Sequence, residues 1–497
     1  VLVSLRRLLG DEAVRVDKPA RVGHAYGQSY GDLVRLRAGY VPNPPDAVAY
    51  PADQRDVAAL LSWAAERDIA LIPYGGGTST TGRLEPPTDG RPVVTLDLSH
   101  LNQVLSVDVR SRTARVQAGI DGPSLETHLN DQGLTLGHFP QSFEFSTLGG
   151  WVATRSVGQQ ALTYGTIDTL VQAVRVVTPV GILTAGDSPV EDAGPNLLQL
   201  LIGSEGAYGV ITEAVLRLRP LPAVRDYRGV LFESWEEGLE AVRVIVQESD
   251  LRPALIALFD HSAVAAYTLL NHEQRGLRRM ADALGRYIKP RRADFSPGDR
   301  ALLLLGFEGE GGWTAQQWRQ AGKICDECHS ISLLRNLSQH WARMRYALPY
   351  LRDILISHSV LVGTLGTAAT WASLPRIYAT MVGAMKGAVI ASGGGPGYVM
   401  AHLSHACAQG AAIQATFLGR QVGDGDPLAL QAQWETVRQA VAEAVVSAGG
   451  RMLSYNGLRT VHTLLDDRTN GLRERVLRSL KESLDPLDIL WSGDRRG

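Results

Sequence analysis

The stretch Ile72-Pro73-Tyr74-Gly75-Gly76-Gly77-Thr78-Ser79-Thr80 closes an apolar run that begins at Ile69. An apolar run that stops at consecutive glycines reads as a strand feeding a loop. Three glycines in a row let a ligand approach the main chain closely, and successive N–H groups there can converge on an anion. Thr78, Ser79 and Thr80 add hydroxyl donors at the same place. Two familiar phosphate loops are excluded. The dinucleotide fingerprint needs G-x-G-x-x-G, whereas the spacing here is Gly75, Gly77, Gly82; a Walker loop needs Lys and then Ser or Thr after its last glycine, whereas Arg83-Leu84 follows Gly82. Taken alone, a tight glycine turn with no ligand is a serious competitor.

Two further segments share the chemistry. Gln141-Ser142-Phe143-Glu144-Phe145-Ser146-Thr147 runs into Leu148-Gly149-Gly150-Trp151 and on through Ala153-Thr154-Arg155-Ser156 to Tyr164-Gly165. Gly203-Ser204-Glu205-Gly206-Ala207-Tyr208-Gly209-Val210-Ile211 is the third. Nineteen of the 52 glycines fall between residues 75 and 209. Three such stretches in one region suit a long phosphate-bearing ligand better than one turn does.

Around them the chain alternates strands and helices. Val57, Leu60, Leu61 and Ala64 make one apolar stripe behind Asp53, and Gly122 to Asn130 reads as a second helix stopped at Gly133. Period-two alternation marks strands at Val94–Leu98, Leu105–Val109 and Ala114–Ala118, with more at Ile69–Pro73, Val171–Thr178 and Val210–Leu218. After Pro220-Leu221-Pro222 the texture changes. Helices are expected at 235–248, 314–330, 372–391, 427–447 and 472–484. Strands are expected at 254–259 and 301–307, with a strand-like stretch over 398–417. The reading is an α+β protein in two domains: an N-terminal segment 1–39, a cofactor domain 40–220, and a substrate or cap domain 221–497 with a helical C-terminal segment.

Composition narrows the class. The 497 residues carry 49 Lys+Arg against 51 Asp+Glu, with 45% hydrophobic residues, an ordinary globular balance. Arginine supplies 44 of those 49 basic residues and lysine five, but no basic stripe of the nucleic-acid type appears. Three cysteines are too few for a disulfide framework, and no apolar run approaches a membrane span. A cytoplasmic location is expected, with no nucleic-acid partner and no metal; a homodimer is compatible with the sequence. Cys325-Asp326-Glu327-Cys328-His329 fits the haem c attachment spacing but lies inside an expected helix with no second cysteine pair, and reads as chance or as a redox-sensitive thiol pair.

The three loops, with Pro73-Tyr74-Gly75-Gly76-Gly77-Thr78-Ser79 and Phe143 to Trp151 as the carrying motifs, resemble the PCMH-type FAD-binding domain of the vanillyl-alcohol-oxidase superfamily. Within that superfamily the sequence is most similar to the alkyl-dihydroxyacetonephosphate synthases. The resemblance is firm over 40–220 and looser beyond. It implies a two-domain flavoprotein in which residues 74–80, 141–147, 153–156 and 205–211, with Pro73, Gly149 and Gly150, wrap FAD. Thr78 and Ser79 stand where covalent members place histidine or cysteine, so the resemblance implies non-covalent FAD.

In the second domain, Tyr350-Leu351-Arg352-Asp353 is similar to the family segment that carries a substrate-binding arginine, and a guanidinium there would clamp a carboxylate or phosphate. A surface or structural ion pair is the bland alternative. Other elements depart from the family. The synthase strand tyrosine used as acid/base has no counterpart in Leu403 to Phe417, where Gln414 and Thr416 take its place. The histidine run after Leu453-Ser454 is replaced by Tyr455-Asn456. Removing a proton alpha to a carbonyl needs a group that titrates near neutrality. Tyr455, unperturbed near ~10, would need a strong shift.

His402 and His405 are the nearest replacements. Strict alternation would put them on opposite faces of the expected strand. His405, by its place in the family's His-bearing segment, is the one expected at the flavin, against the bland reading of a surface histidine. The leading expectation is an FAD-dependent oxidoreductase acting on a small anionic hydroxy acid or alcohol. Alkylglycerone-phosphate-synthase-like transfer without net redox is the rival, and an FAD-binding protein without catalysis is the third reading.

Overall fold

Asp53 begins the architecture at the level of single residues. Its carboxylate accepts from the N–H groups of Arg55 and Asp56 and caps the helix Gln54–Ala65, whose Val57, Leu60, Leu61 and Ala64 are all buried. The computed structural model describes residues 1–186, 194–270, 300–334, 342, 344–453 and 471–491. These fall into two compact units. The first comprises Val1–Gly158, Tyr164–Leu221 and the described part of Asn456–Gly497; the second comprises Gln159–Thr163 and Pro222–Tyr455.

Among the described residues the first unit holds three sheets. β1 (Val14–Arg15), β2 (Ala47–Ala49), β3 (Ala70–Tyr74) and β4 (Val93–Asp97) lie in the order β1-β2-β4-β3, the last three mutually parallel. β5 (Val104–Asp108) and β6 (Thr113–Gln117) join β8 (Val171–Thr178), β9 (Gly181–Ala185) and β10 (Val210–Arg217) in the order β5-β6-β10-β8-β9. β7 (Leu134–Thr135) pairs with β11 (Arg219–Pro220). Val48 pairs with Thr95 and Ile72 with Thr95 from the other side, so β4 is central and all five of its residues are buried. Parallel strands covered on both faces read as continuous apolar runs. Residues Leu5, Val14, Ile489 and Leu490 join the core around Leu60, Leu71 and Leu96, so both ends of the described chain close this unit.

The N-terminal 39 residues, read from sequence only as a segment, form three helices. Asp17 caps Lys18–Gly23, and Ser29 with Asp32 forms a reciprocal capping box on Tyr30–Arg37. Between these helices the chain touches the glycine loop. The Gln28 N–H donates to the Ser79 carbonyl at 2.6 Å.

Among the described residues the second unit is built on one eight-stranded sheet, β15-β12-β14-β13-β17-β18-β16-β19. Its strands are β12 (Val224–Phe232), β13 (Leu255–Phe259), β14 (Ala301–Gly309), β15 (Ser330–Leu334), β16 (Val360–Thr370), β17 (Tyr398–Cys407), β18 (Gly410–Arg420) and β19 (Arg451–Met452). The expected single strand-like stretch over 398–417 is a hairpin, β17 and β18 turning at 408–409. β12 and β16 escaped the sequence reading. β16 carries two glycines that dilute its alternation, and at Gly363 a Cβ would lie 2.4 Å from Trp434 Nε1 and 2.6 Å from Phe417. Trp434 belongs to the helix Pro427–Ser447. The face bearing Phe417, with Ile413, Ala415, Leu403 and Ala401, is therefore the helix-packed face, and all five are buried.

Candidate functional site

The three glycine segments meet in the first unit. A Cβ on Gly76 would lie 1.8 Å from the Phe145 carbonyl oxygen, and one on Gly75 would lie 2.3 Å from Thr147 Oγ1. On Gly206, whose φ is +83°, it would lie 3.3 Å from Pro73. So segment 73–77 packs directly on 145–147 and on 206, and glycine is what lets it. Among the described residues no hydrogen bond takes up the N–H groups of Gly75, Gly76, Gly77 or Thr78. Four successive amides without a partner are donors of the kind an anion takes up.

Other expected cofactor residues have structural partners. Phe143 is buried, 5.2 Å from Phe139 and stacked 6.4 Å from Trp151; Gly149 lies against Ala118. The Arg155 guanidinium donates to the carbonyls of Gln199 and Ile202 and pairs with Asp168 at 3.3 Å. Glu205 forms an ion pair with Arg83 at 2.6 Å; burial pushes its carboxyl up and Arg83 opposes that. Ser146 accepts from Trp151 Nε1 at 2.7 Å, and Thr147 caps the short helix Leu148–Ala153. Tyr74, from the loop itself, packs on His24 at 4.5 Å between ring centres, and His24 bonds Asp97 at 2.8 Å. Burial pushes the Tyr74 hydroxyl up to about 12.

In the second unit, alternation sets the other sheet face. His402 of β17 is in register with Gln414 of β18, Thr364 of β16 with Thr416, and Met400 with Thr416. These side chains are partly exposed, whereas their odd-numbered neighbours Ala401, Leu403, Ala415 and Phe417 face the helices. The hydroxyls of Thr364 and Thr416 bond at 2.8 Å, and the His402 ring stacks on Phe259 at 5.3 Å. Burial, with repulsion from His405, lowers His402 to about 4, so its imidazole is neutral at pH 7.

His405 sits in a bulge. The register shifts between Ser404 and Cys407, His405 has φ +48°, and its Nδ1 lies 3.0 Å from Ser404 Oγ. Strict alternation therefore stops before it. The alternation on which the expected opposite facing of His402 and His405 rests does not run through this bulge. Arg352 opens the helix Leu351–Ser357, which packs along β16, and is partly buried. Tyr455, the other expected catalytic residue, lies outside the described residues, as does Asn456.

Comparison with known proteins gives a consistent answer. Residues 45–186 match the FAD binding domain family and 221–494 match the C-terminal domain of FAD linked oxidases. The alkyldihydroxyacetonephosphate synthase of Dictyostelium discoideum is 32% identical over 492 residues, 98% of this chain and 79% of that one. A solved alkyldihydroxyacetonephosphate synthase superposes with a TM-score of 0.85 at 30% identity, covering 99% of this chain and 84% of that one. The mitochondrial D-lactate dehydrogenase (cytochrome) of Arabidopsis thaliana is 32% identical over a shorter reach, 46% of this chain and 40% of its own. The chain belongs to the alkyldihydroxyacetonephosphate synthase family of FAD-linked flavoproteins.

It is an FAD-dependent enzyme with a PCMH-type cofactor domain. The residues present fit that cofactor, because the free amides of 75–78 and the glycine-lined approach suit a pyrophosphate. His402, which sequence reasoning ranked behind His405, is the histidine in register with Gln414. The signal was available as the even numbering it shares with Gln414 and Thr416, but it needed the hairpin turn at 408–409 to be placed first. The C-x-x-C-H pattern carries no reactive thiol at Cys325, which is buried and pushed up to about 12. Among the described residues no helix is long and apolar enough to cross a membrane.

Proposed function

We propose that this FAD-dependent enzyme oxidises a small carboxylate- or phosphate-bearing hydroxy acid or alcohol, with FAD held non-covalently by residues 73–80, 141–147, 153–156 and 205–211. One observation carries the reading. By the resemblance to the synthases, Gln414 and Thr416 stand in β18 where an acid/base tyrosine is expected, and His402, held neutral by burial, is in register with Gln414 across the hairpin. Bound FAD supplies a hydride acceptor. Alcohol oxidation then needs one further group, a base for the hydroxyl proton, and neutral His402 can take it. An anion bound nearby raises the basicity of that imidazole. Arg352 pairs with the substrate anion. His405 and Tyr455 flank this role as secondary candidates.

The likeness to the synthases over nearly all of this chain supports a second reading, alkylglycerone-phosphate-synthase-like transfer with no net redox. The two are separated by anaerobic titration of the flavin-loaded protein. Under the first reading a 2-hydroxy acid or alcohol bleaches the flavin band stably; under the second, only an acyl-dihydroxyacetone phosphate perturbs it, and the oxidised spectrum returns with turnover. A flavin that none of these perturbs would favour a protein that binds FAD without catalysis. Arg352→Ala should raise the KM for the anionic substrate roughly 10-fold or more while FAD stays bound. Loss of flavin in that variant would show that Arg352 belongs to the cofactor site instead.

A further inference from the structure

His138 lies outside every segment assigned above, yet it is held against one of them. Its side chain is 1% exposed and packs 5.0 Å from the Trp151 ring. The backbone leading to it is clamped by the buried carboxylate of Glu126, which accepts from Thr135 Oγ1 at 2.7 Å and from the N–H groups of Leu136 and Gly137 at 3.1 Å. On its far side sits Gly158, where a Cβ would come 3.3 Å from His138 Nδ1 and 2.9 Å from Phe139 N. The imidazole is thus enclosed by Trp151, the clamped backbone and Gly158. Its Nε2 lies 3.2 Å from Ser156 Oγ, and Nδ1 has no hydrogen-bond partner among the described residues.

That asymmetry fixes the proton. Burial holds the ring neutral, at about 3, so it carries a single N–H. If that hydrogen were on Nδ1, a buried donor would be left without an acceptor; a bare lone pair there costs less than an orphaned N–H. The hydrogen belongs on Nε2, which donates to Ser156 Oγ. A hydroxyl that accepts from histidine keeps its own O–H to give elsewhere. Ser156 is only partly buried, so that O–H has somewhere to go.

We propose that His138 is a positioning residue that makes the Ser156 hydroxyl a committed donor toward FAD. The inference rests on the placement of 153–156 in the cofactor site. Ser156 would donate to an acceptor oxygen of the cofactor, and His138 would hold its orientation before the cofactor arrives. Such preorganisation lowers the ordering cost of binding.

The test is FAD titration of the apoprotein by flavin fluorescence quenching, with thermal melts of each apo variant as a folding control. Ser156→Ala and His138→Leu should each weaken FAD binding roughly 10-fold, the double variant no more than either single, and His138→Gln, which restores an N–H donor, should recover most of it. In ¹⁵N-histidine NMR of the wild-type apoprotein, which needs no variant to fold, His138 should carry its hydrogen on Nε2. An Nδ1–H tautomer, or roughly 100-fold loss in the double variant, would overturn the proposal. So would unchanged affinity in Ser156→Ala. A parallel Gly76→Val titration separates this from the site assignment. If Gly76→Val abolishes binding while Ser156→Ala does not affect it, only the His138 inference fails; if Gly76→Val binds FAD normally, the loop assignment itself fails.

Discussion

The glycine loops of the first unit and the open sheet face of the second obey different constraints. In the loops, backbone meets backbone: Gly76 lies so close to the Phe145 carbonyl that any side chain collides, and the same holds where Gly119 meets the carbonyl of Leu98. On the open face the backbone ladder from β16 through β17 is indifferent to what projects from it, since each strand pairs through main-chain groups. Side chains there can be exchanged without disturbing the fold. That difference explains why the cofactor is legible from motifs while the reaction is not. Where a residue is dictated by backbone crowding, its identity is held and stays readable as a motif; where it is not, its identity is free to follow the chemistry.

The sharpest way to break the comparison is at Gly76. Gly76→Val must move Phe145 or the loop itself, and FAD retention should be lost, with affinity down by more than about 100-fold in titrations. A glycine with open space gives the control. At Gly322, inside the helix Gly311–Glu327, a Cβ meets nothing within 4 Å. Gly322→Ala should bind FAD normally and gain up to about 1 kcal/mol of stability, read from denaturant unfolding. Equal tolerance at both positions would mean that the loops are not held as tightly as their packing requires.

The second step tests the open face. His402→Phe keeps a ring to stack on Phe259 but removes the base. It should leave FAD binding and folding intact while lowering kcat by roughly 10²–10⁴-fold. Retained turnover would move the base to His405 or Tyr455.

Legibility followed the same divide. Asp53, Asp121 and Asp426 each cap a helix whose start the sequence marks plainly, and Val171–Thr178 and Pro427–Ser447 coincide with the expected elements. The N-terminal helices had signals too, in Asp17-Lys18-Pro19 and in Ser29 to Asp32, but a helix of six or eight residues carries too few turns for its periodicity to stand out. β12 was hidden by its polar half, Val224 to Arg228, where Tyr227 donates to the buried Glu308 and Gln160 reaches the same carboxylate at 2.7 Å. A buried polar network makes a core strand look like a surface one. His402 was obscured for a different reason. Whether it shares a face with Gln414 depends on hairpin register and on the bulge at His405, and single-strand alternation cannot supply either.

The last expected effect is silent at neutral pH and puts the two regions on one scale, because each holds a histidine kept neutral. His138 is held down to about 3 and His402 to about 4, against 6.5 when unfolded. The folded protein therefore declines protons that the unfolded chain accepts. Stability from this source is fully present above pH 6.5, falls as the pH drops below it, and stops falling once each folded pKa is passed. By pH 4.5 the loss from fully buried His138 is on the order of 3 kcal/mol, and less from His402, whose ring keeps some contact with solvent. Urea unfolding of the apoprotein at pH 7 and pH 4.5 measures the total. Repeating it with His138→Gln and with His402→Phe assigns the shares, because carboxylates that titrate in the same window cancel between variants. The larger share should vanish with His138→Gln. If it vanishes with His402→Phe instead, the sheet face is drier than the cofactor loops, and the contrast between a closed site and an open one would have to be reversed.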